Sequence, residues 1–217
     1  LWTWAFWALS AALSRETIWD GPGTMFFYLG GAGVPLGALV MVSAGGGKAA
    51  LRELGRRLVD PRRISWRWWV LILALFPLLN LTAAALASVF WPDAGAALNL
   101  DEAQALAGQP GAFLLWAGFI LLIGPFPEEI GWRGFLLDHL ESHWKASTAT
   151  LMVGLCWWSW HLPLFVLPGY FDPFGGPPMG PMGYLWDIMA GAFLYTWIYN
   201  NTQRSVLAVI LFHFLGN

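Results

Sequence analysis

The sequence predicts an all-α fold, a multi-pass transmembrane helical bundle of about seven membrane segments, on three observations. Of its 217 residues 58% are hydrophobic and only 11% charged. Several apolar runs are long enough to cross a hydrocarbon layer of about 30 Å, and helices satisfy their own backbone groups in lipid where open sheets cannot. Sixteen tryptophans, many near the ends of those runs, fit the aromatic belts found where lipid meets water. Short links between runs argue for one membrane domain over 1–217, with 1–111 as scaffold and 112–217 carrying the chemistry. The single cysteine, Cys156, allows no intrachain disulfide and reads as packing. Leu1 and Asn217 each lie within or against an apolar run, so the natural chain is expected to continue past both, and no signal peptide is read from such a start.

The first segment is expected at Leu1–Leu13 and the second at Met25–Ala44, where Gly33 and Gly37 have the spacing that lets helices approach closely. Next comes "GGGKAALRELGRRLVDPRRISWRW", with Lys48, Arg52, Arg56, Arg57, Arg62, Arg63 and Arg67, seven of the eleven basic residues. The positive-inside rule makes it cytoplasmic. It reads as a solvated loop that sets topology, with a helix lying on anionic lipid as the other reading. Further segments follow at Trp68–Phe90, Ala112–Leu137, Thr148–Leu167, Tyr184–Tyr199 and Val206 to at least Asn217. The sequon at Asn80 falls inside a span and carries no meaning. Lys145 and Arg204 then fall in cytoplasmic links. The external links carry Arg15 and the acids Asp20, Asp93, Asp101, Glu102 and Asp172. "PGYFDPFGGPPMGPMG", 168–183, reads as an irregular external loop that can cap a cavity.

Ionised groups at mid-membrane cost at least about 2.5 to 3.5 kcal/mol each, so they face cavities and mark function. "PFPEEIGWRGF" supplies Glu128, Glu129 and Arg133, "CWWSWHLPLF" supplies His161, and "LFHFLGN" supplies His213 and Asn217. Counted at about 1.5 Å per residue from the predicted cytoplasmic ends, Glu128, His161 and His213 all fall roughly 10 to 20 Å deep, as one water-filled pocket opening toward the cytoplasm would require. Glu129 and Arg133 stand at i and i+4 and can pair. Glu128 is turned away by about 100 degrees and needs another partner. His213 and Asn217 share a face by the same spacing. Pro125 and Pro127 are placed to break the helix just before the glutamates. A buried carboxylate and an imidazole holding one water suit a general base. An amide and a ring N–H suit the oxyanion formed when a peptide carbonyl is attacked.

"EEIGWR" at 128–133 fits an EExxxR motif, "WWSWH" at 157–161 resembles FxxxH with Trp157 in place of the usual Phe, and "HFLGN" at 213–217 fits HxxxN. In that order, over 128–217, they resemble the CAAX-processing and bacteriocin-processing family of intramembrane glutamic endopeptidases, also called type II CAAX prenyl endopeptidases or the abortive-infection family. The resemblance implies that Glu128 and His161 activate water, that His213 and Asn217 stabilise the oxyanion, and that Glu129 and Arg133 support them. It implies no cofactor. The expected partners are the bilayer and a membrane-associated peptide or protein, not nucleic acid, and the expected location is the cell membrane.

Two rivals use the same residues. Two Glu and two His can ligate zinc with an open water position, although no HExxH is present, and the His139/His143 pair of "HLESH" sits in a polar link. A transporter or immunity-type binding protein can use buried acids and histidines as a proton or ligand site, although no paired broken helices in related halves are evident.

Overall fold

The computed structural model describes residues 1–90, 108–172 and 179–217. The expected positions of Asp93, Asp101 and Glu102, and the middle of the Gly/Pro loop, lie outside these residues. Among the described residues every regular element is helical: α1 (Trp2–Leu13), α2 (Gly23–Gly31), α3 (Gly33–Val59), α4 (Trp66–Phe90), α5 (Pro110–Ile123), α6 (Pro125–Gly131), α7 (Leu137–Glu141), α8 (Ala146–His161), α9 (Pro181–Asn201) and α10 (Val206–Gly216). A turn of π-helix, Trp132–Leu136, joins α6 to α7. The stretches Gly23–Val59, Trp66–Phe90, Pro110–Glu141 and Ala146–Val166 are long and apolar enough to cross a membrane. The remaining expected segments are also helices, shorter or less apolar.

Burial follows lipid rather than water. Along the 25 residues of α4 only Ile72 is buried, and Leu73, Leu79, Leu114 and Leu115 of α4 and α5 project outward, as side chains facing hydrocarbon do. By contrast α10, only 11 residues long, buries Val206, Ala208, Val209, Ile210, Phe212 and His213. It lies at the centre, touching α3, α4, α5, α6 and α9. Ser205 caps its start, its hydroxyl accepting from the Ala208 N–H at 3.2 Å. The main core runs from Ala38 and Leu54 of α3 through Leu137, Val153 and Tyr199 to Phe212, so the N-terminal helices share it with the motif-bearing ones.

Three features of the elements matter, and the second, a break just before the glutamates, is the one the sequence predicts. The basic stretch is helix, not loop: α3 continues to Val59 past a kink at Gly47, whose φ of 59° and ψ of −148° suit only glycine. The fourth segment breaks at Gly124 (φ −111°, ψ −95°), directly before Pro125. The fifth ends its α-helix at His161 and continues as 3₁₀ turns over Leu162–Val166.

Candidate functional site

"EEIGWRGF" sets the site through its glycines as well as its charges. A Cβ on Gly131 would stand 2.1 Å from Val34 Cγ1, and one on Gly134 would stand 2.9 Å from Leu54 Cδ1. Bare backbone at both positions lets α3 lie directly against α6 and the π-turn. Arg133 is on that π-turn, a local widening that re-aims side chains and recurs at functional sites. Its guanidinium is fully buried against the equally buried Glu129, with Nη1 donating to Oε1 at 2.9 Å and to Oε2 at 3.0 Å. The i, i+4 pair is present as expected. The guanidinium carbon lies 4.9 Å from the ring centres of both Trp157 and Tyr195, while Nε and Nη2 have no hydrogen-bond partner. Cation–π attraction, stronger where water is excluded, stands in for the missing acceptors.

His213 approaches from α10, its Nδ1 2.9 Å from Glu129 Oε1. An ionised Glu129, already accepting from Arg133, makes Nδ1 the protonated donor in this contact. The sequence reading grouped His213 with Glu128, but the direct bond is to Glu129.

Glu128, in the first turn of α6, finds the separate partner its rotation demanded: the indole Nε1 of Trp157 donates to its Oε2 at 2.7 Å. His161, one turn further along α8, places Nδ1 2.8 Å from the Trp157 carbonyl oxygen. That carbonyl only accepts, so the hydrogen is on Nδ1 and Nε2 is left with its lone pair. Among the described residues no direct hydrogen bond joins Glu128 to His161 or His213. The aromatic rings of Trp157 and Tyr195 flank His213, 5.4 and 5.1 Å from its ring centre. Asn217 ends α10, its backbone N–H donating to the His213 carbonyl at 3.1 Å. Its Nδ2 comes within 3.9 Å of where a Cβ on Gly124 would be, so it faces the break before α6 rather than the Glu129–His213 contact.

Aromatic neighbours were the part of the site the sequence reading missed. Tyr184 stacks edge-on against His161, ring centres 5.3 Å apart. Tyr170, beyond the 3₁₀ turn, has its phenol pushed up to about 12, first by burial and then by the Glu128 charge. Their signal was present in the Gly/Pro loop and its flanks, but nothing local told which rings turn inward.

The expected single pocket around the three polar groups does not coincide with either of two cavities found among the described residues. One, of about 550 Å³, lies on the face that carries the basic end of α3, among Glu53, Arg57, Arg63, Asp138, His139 and Arg204. The other, about 390 Å³, is apolar and lies between α1, α3 and α8. Neither is lined by Glu128, His161 or His213. Among the described residues no group of three or more His, Cys, Asp or Glu side chains is arranged to hold a metal ion. His139, in α7, and His143, in the link after it, are both exposed with tilted rings 5.1 Å apart, and the His143 Nδ1 contacts the Ser142 hydroxyl and the His139 carbonyl.

Residues 110–217 match the family described as type II CAAX prenyl endopeptidase Rce1-like. Over 101 residues the chain is 33% identical to CAAX prenyl protease 2 of Methanococcus maripaludis, a match covering 46% of this chain and 37% of that relative. The matched region begins at α5 and contains Glu128, Glu129, Arg133, His161, His213 and Asn217.

Proposed function

The chain belongs, through residues 110–217, to the Rce1-like type II CAAX prenyl endopeptidase family, and on that premise we propose that it is an intramembrane endopeptidase that uses glutamate to hydrolyse a peptide bond of a membrane-associated protein or peptide. The observation that carries the reading is the pairing of two acid–imidazole sets side by side. Glu128 and His161 are held by one residue, Trp157, and His213 is held by Glu129. Glu128 takes a proton from a water positioned with the His161 Nε2 lone pair, and the water oxygen adds to the scissile carbonyl carbon. The resulting oxyanion is met by N–H donors of His213 and Asn217. Collapse of the tetrahedral species breaks the C–N bond, and the proton on Glu128 passes to the departing amine. Glu129 and Arg133 hold His213 and do not touch the reacting atoms.

The geometry adds one condition. With Nδ1 committed to Glu129, His213 can donate through Nε2 only if the Glu129–His213 pair holds one proton more than a neutral imidazole beside a carboxylate. A prenylated CAAX tail is the substrate class suggested by the relative's name, and the abundance of basic residues at the α3 end supports a cytoplasmic orientation for that face, in a cell membrane.

The test is mass spectrometry of peptides accumulating in membranes that carry Glu128→Gln, with purified protein then assayed on them. Cleavage that survives strong chelators and vanishes in a folded Glu128→Gln protein supports the reading. Cleavage abolished by chelators and restored by zinc returns it to the metalloprotease, and saturable uptake without cleavage returns it to transport.

A further inference from the structure

We propose that Trp157 is a positioning residue: its indole N–H fixes the ionised Glu128 carboxylate while its backbone carbonyl fixes the His161 ring. This rests on Glu128 being the base and His161 its partner, as proposed above. The family motif usually has Phe here, and Phe has no side-chain donor, so the contact to Glu128 is one that the motif does not provide.

Four contacts converge on this residue. Nε1 reaches Glu128 Oε2 at 2.7 Å, the short end of the range for a charge-assisted bond. The carbonyl receives His161 Nδ1 at 2.8 Å. The indole face carries the Arg133 guanidinium at 4.9 Å. Its edge meets the His213 ring at 5.4 Å and 74°. Trp157 is 4% exposed, locked by Tyr195 on one side, their ring centres 5.6 Å apart, and by Gly191 of α9, where an added Cβ would stand 3.6 Å from the indole. An indole held this firmly can restrict only one Glu128 rotamer. The carbonyl bond sets the His161 tautomer, so Nε2 is the basic nitrogen. One residue thereby fixes both, the orientation of the acid through its indole and the identity of the basic imidazole nitrogen through its backbone carbonyl. Because indole N–H donates and never accepts, the contact favours the carboxylate over the carboxylic acid, which is the form a base needs.

Trp157→Phe removes the donor and keeps a ring and the backbone carbonyl. The probe is an internally quenched peptide ending in a prenylated CAAX sequence, in proteoliposomes, beside Glu128→Gln. The expected result is a fall in kcat on the order of ten- to a hundredfold, KM little changed, and the acid limb of the kcat/KM profile moved to higher pH. Independently of cleavage, the ¹H–¹⁵N indole resonance of Trp157, assigned by its loss in Trp157→Phe, should lie downfield and move upfield in Glu128→Gln. An indole resonance that ignores Glu128→Gln overturns the proposal. So does Trp157→Phe with wild-type kcat and acid limb, and so does a loss of rate that tracks a loss of thermal stability with the acid limb unmoved. Full cleavage by Glu128→Gln removes the base itself and with it the proposed function, a failure distinct from retention of Glu128 dependence without any effect of Trp157.

Discussion

Two arginine–carboxylate networks stabilise this bundle, and they are built differently. In the interior, Arg133, Glu129 and His213 form a closed set with Glu129 and Arg133 fully buried. At the basic face, Arg57 donates to the Tyr199 hydroxyl at 2.6 Å and to the Gly134 carbonyl at 3.0 Å, and lies 3.3 Å from Asp138. Asp138 also takes the hydroxyl of Tyr199 at 3.1 Å and pairs with Arg204, and Arg204 pairs with Glu141 at 3.3 Å. The interior set has no spare partner, and stacked aromatics replace the acceptors that hydrocarbon cannot offer. The face set is redundant, with Asp138 shared by two arginines and solvent nearby. Burial lowers the proton affinity of Arg204, yet Asp138, Tyr199 and Glu141 more than offset it and hold the charge in place. A desolvated pair therefore depends on every member, whereas an edge network tolerates loss.

The sharpest way to break that contrast is Arg133→Ala, which strands Glu129 in hydrocarbon and should cost about 3 to 5 kcal/mol, read as thermal unfolding in detergent. Glu129→Leu with Arg133→Met should recover much of that stability while leaving cleavage lost, because His213 has no holder. Next in size, Gly131→Ala should cost about 1 to 3 kcal/mol by forcing α3 off α6, and Val34→Ala in the same chain should relieve it. Arg57→Ala removes three contacts of one partly screened group and should cost about 1 to 3 kcal/mol. Arg204→Ala, with a side chain 47% exposed, should cost no more than about 1 kcal/mol and shrink further at high salt. If Arg204→Ala proved as damaging as Arg133→Ala, the distinction between the two networks would fall.

The interior network was half legible. The spacing of Glu129 and Arg133 gave their pairing, and the shared depth of Glu128, His161 and His213 placed three helices around one centre. The spacing could not say which glutamate His213 meets, because that depends on the rotation of α10 about its own axis against α6. Trp157 read only as a departure from the usual Phe of the motif, since a motif letter carries no information on where an indole N–H points. The face network was invisible: Arg57, Asp138, Tyr199 and Arg204 come from four separate stretches, and the basic run that holds Arg57 read as a loop because charge masked its helical periodicity.

What the sequence settled by itself is the class of molecule and the identity of its buried polar groups. Hydrocarbon forces helices on apolar runs of that length and makes every ionisable residue inside them conspicuous. What only the tertiary structure decided is the wiring. Hydrogen bonds act over about 3 Å, and that precision comes from how Gly131 and Gly134 let helices close on one another, not from positions along a chain.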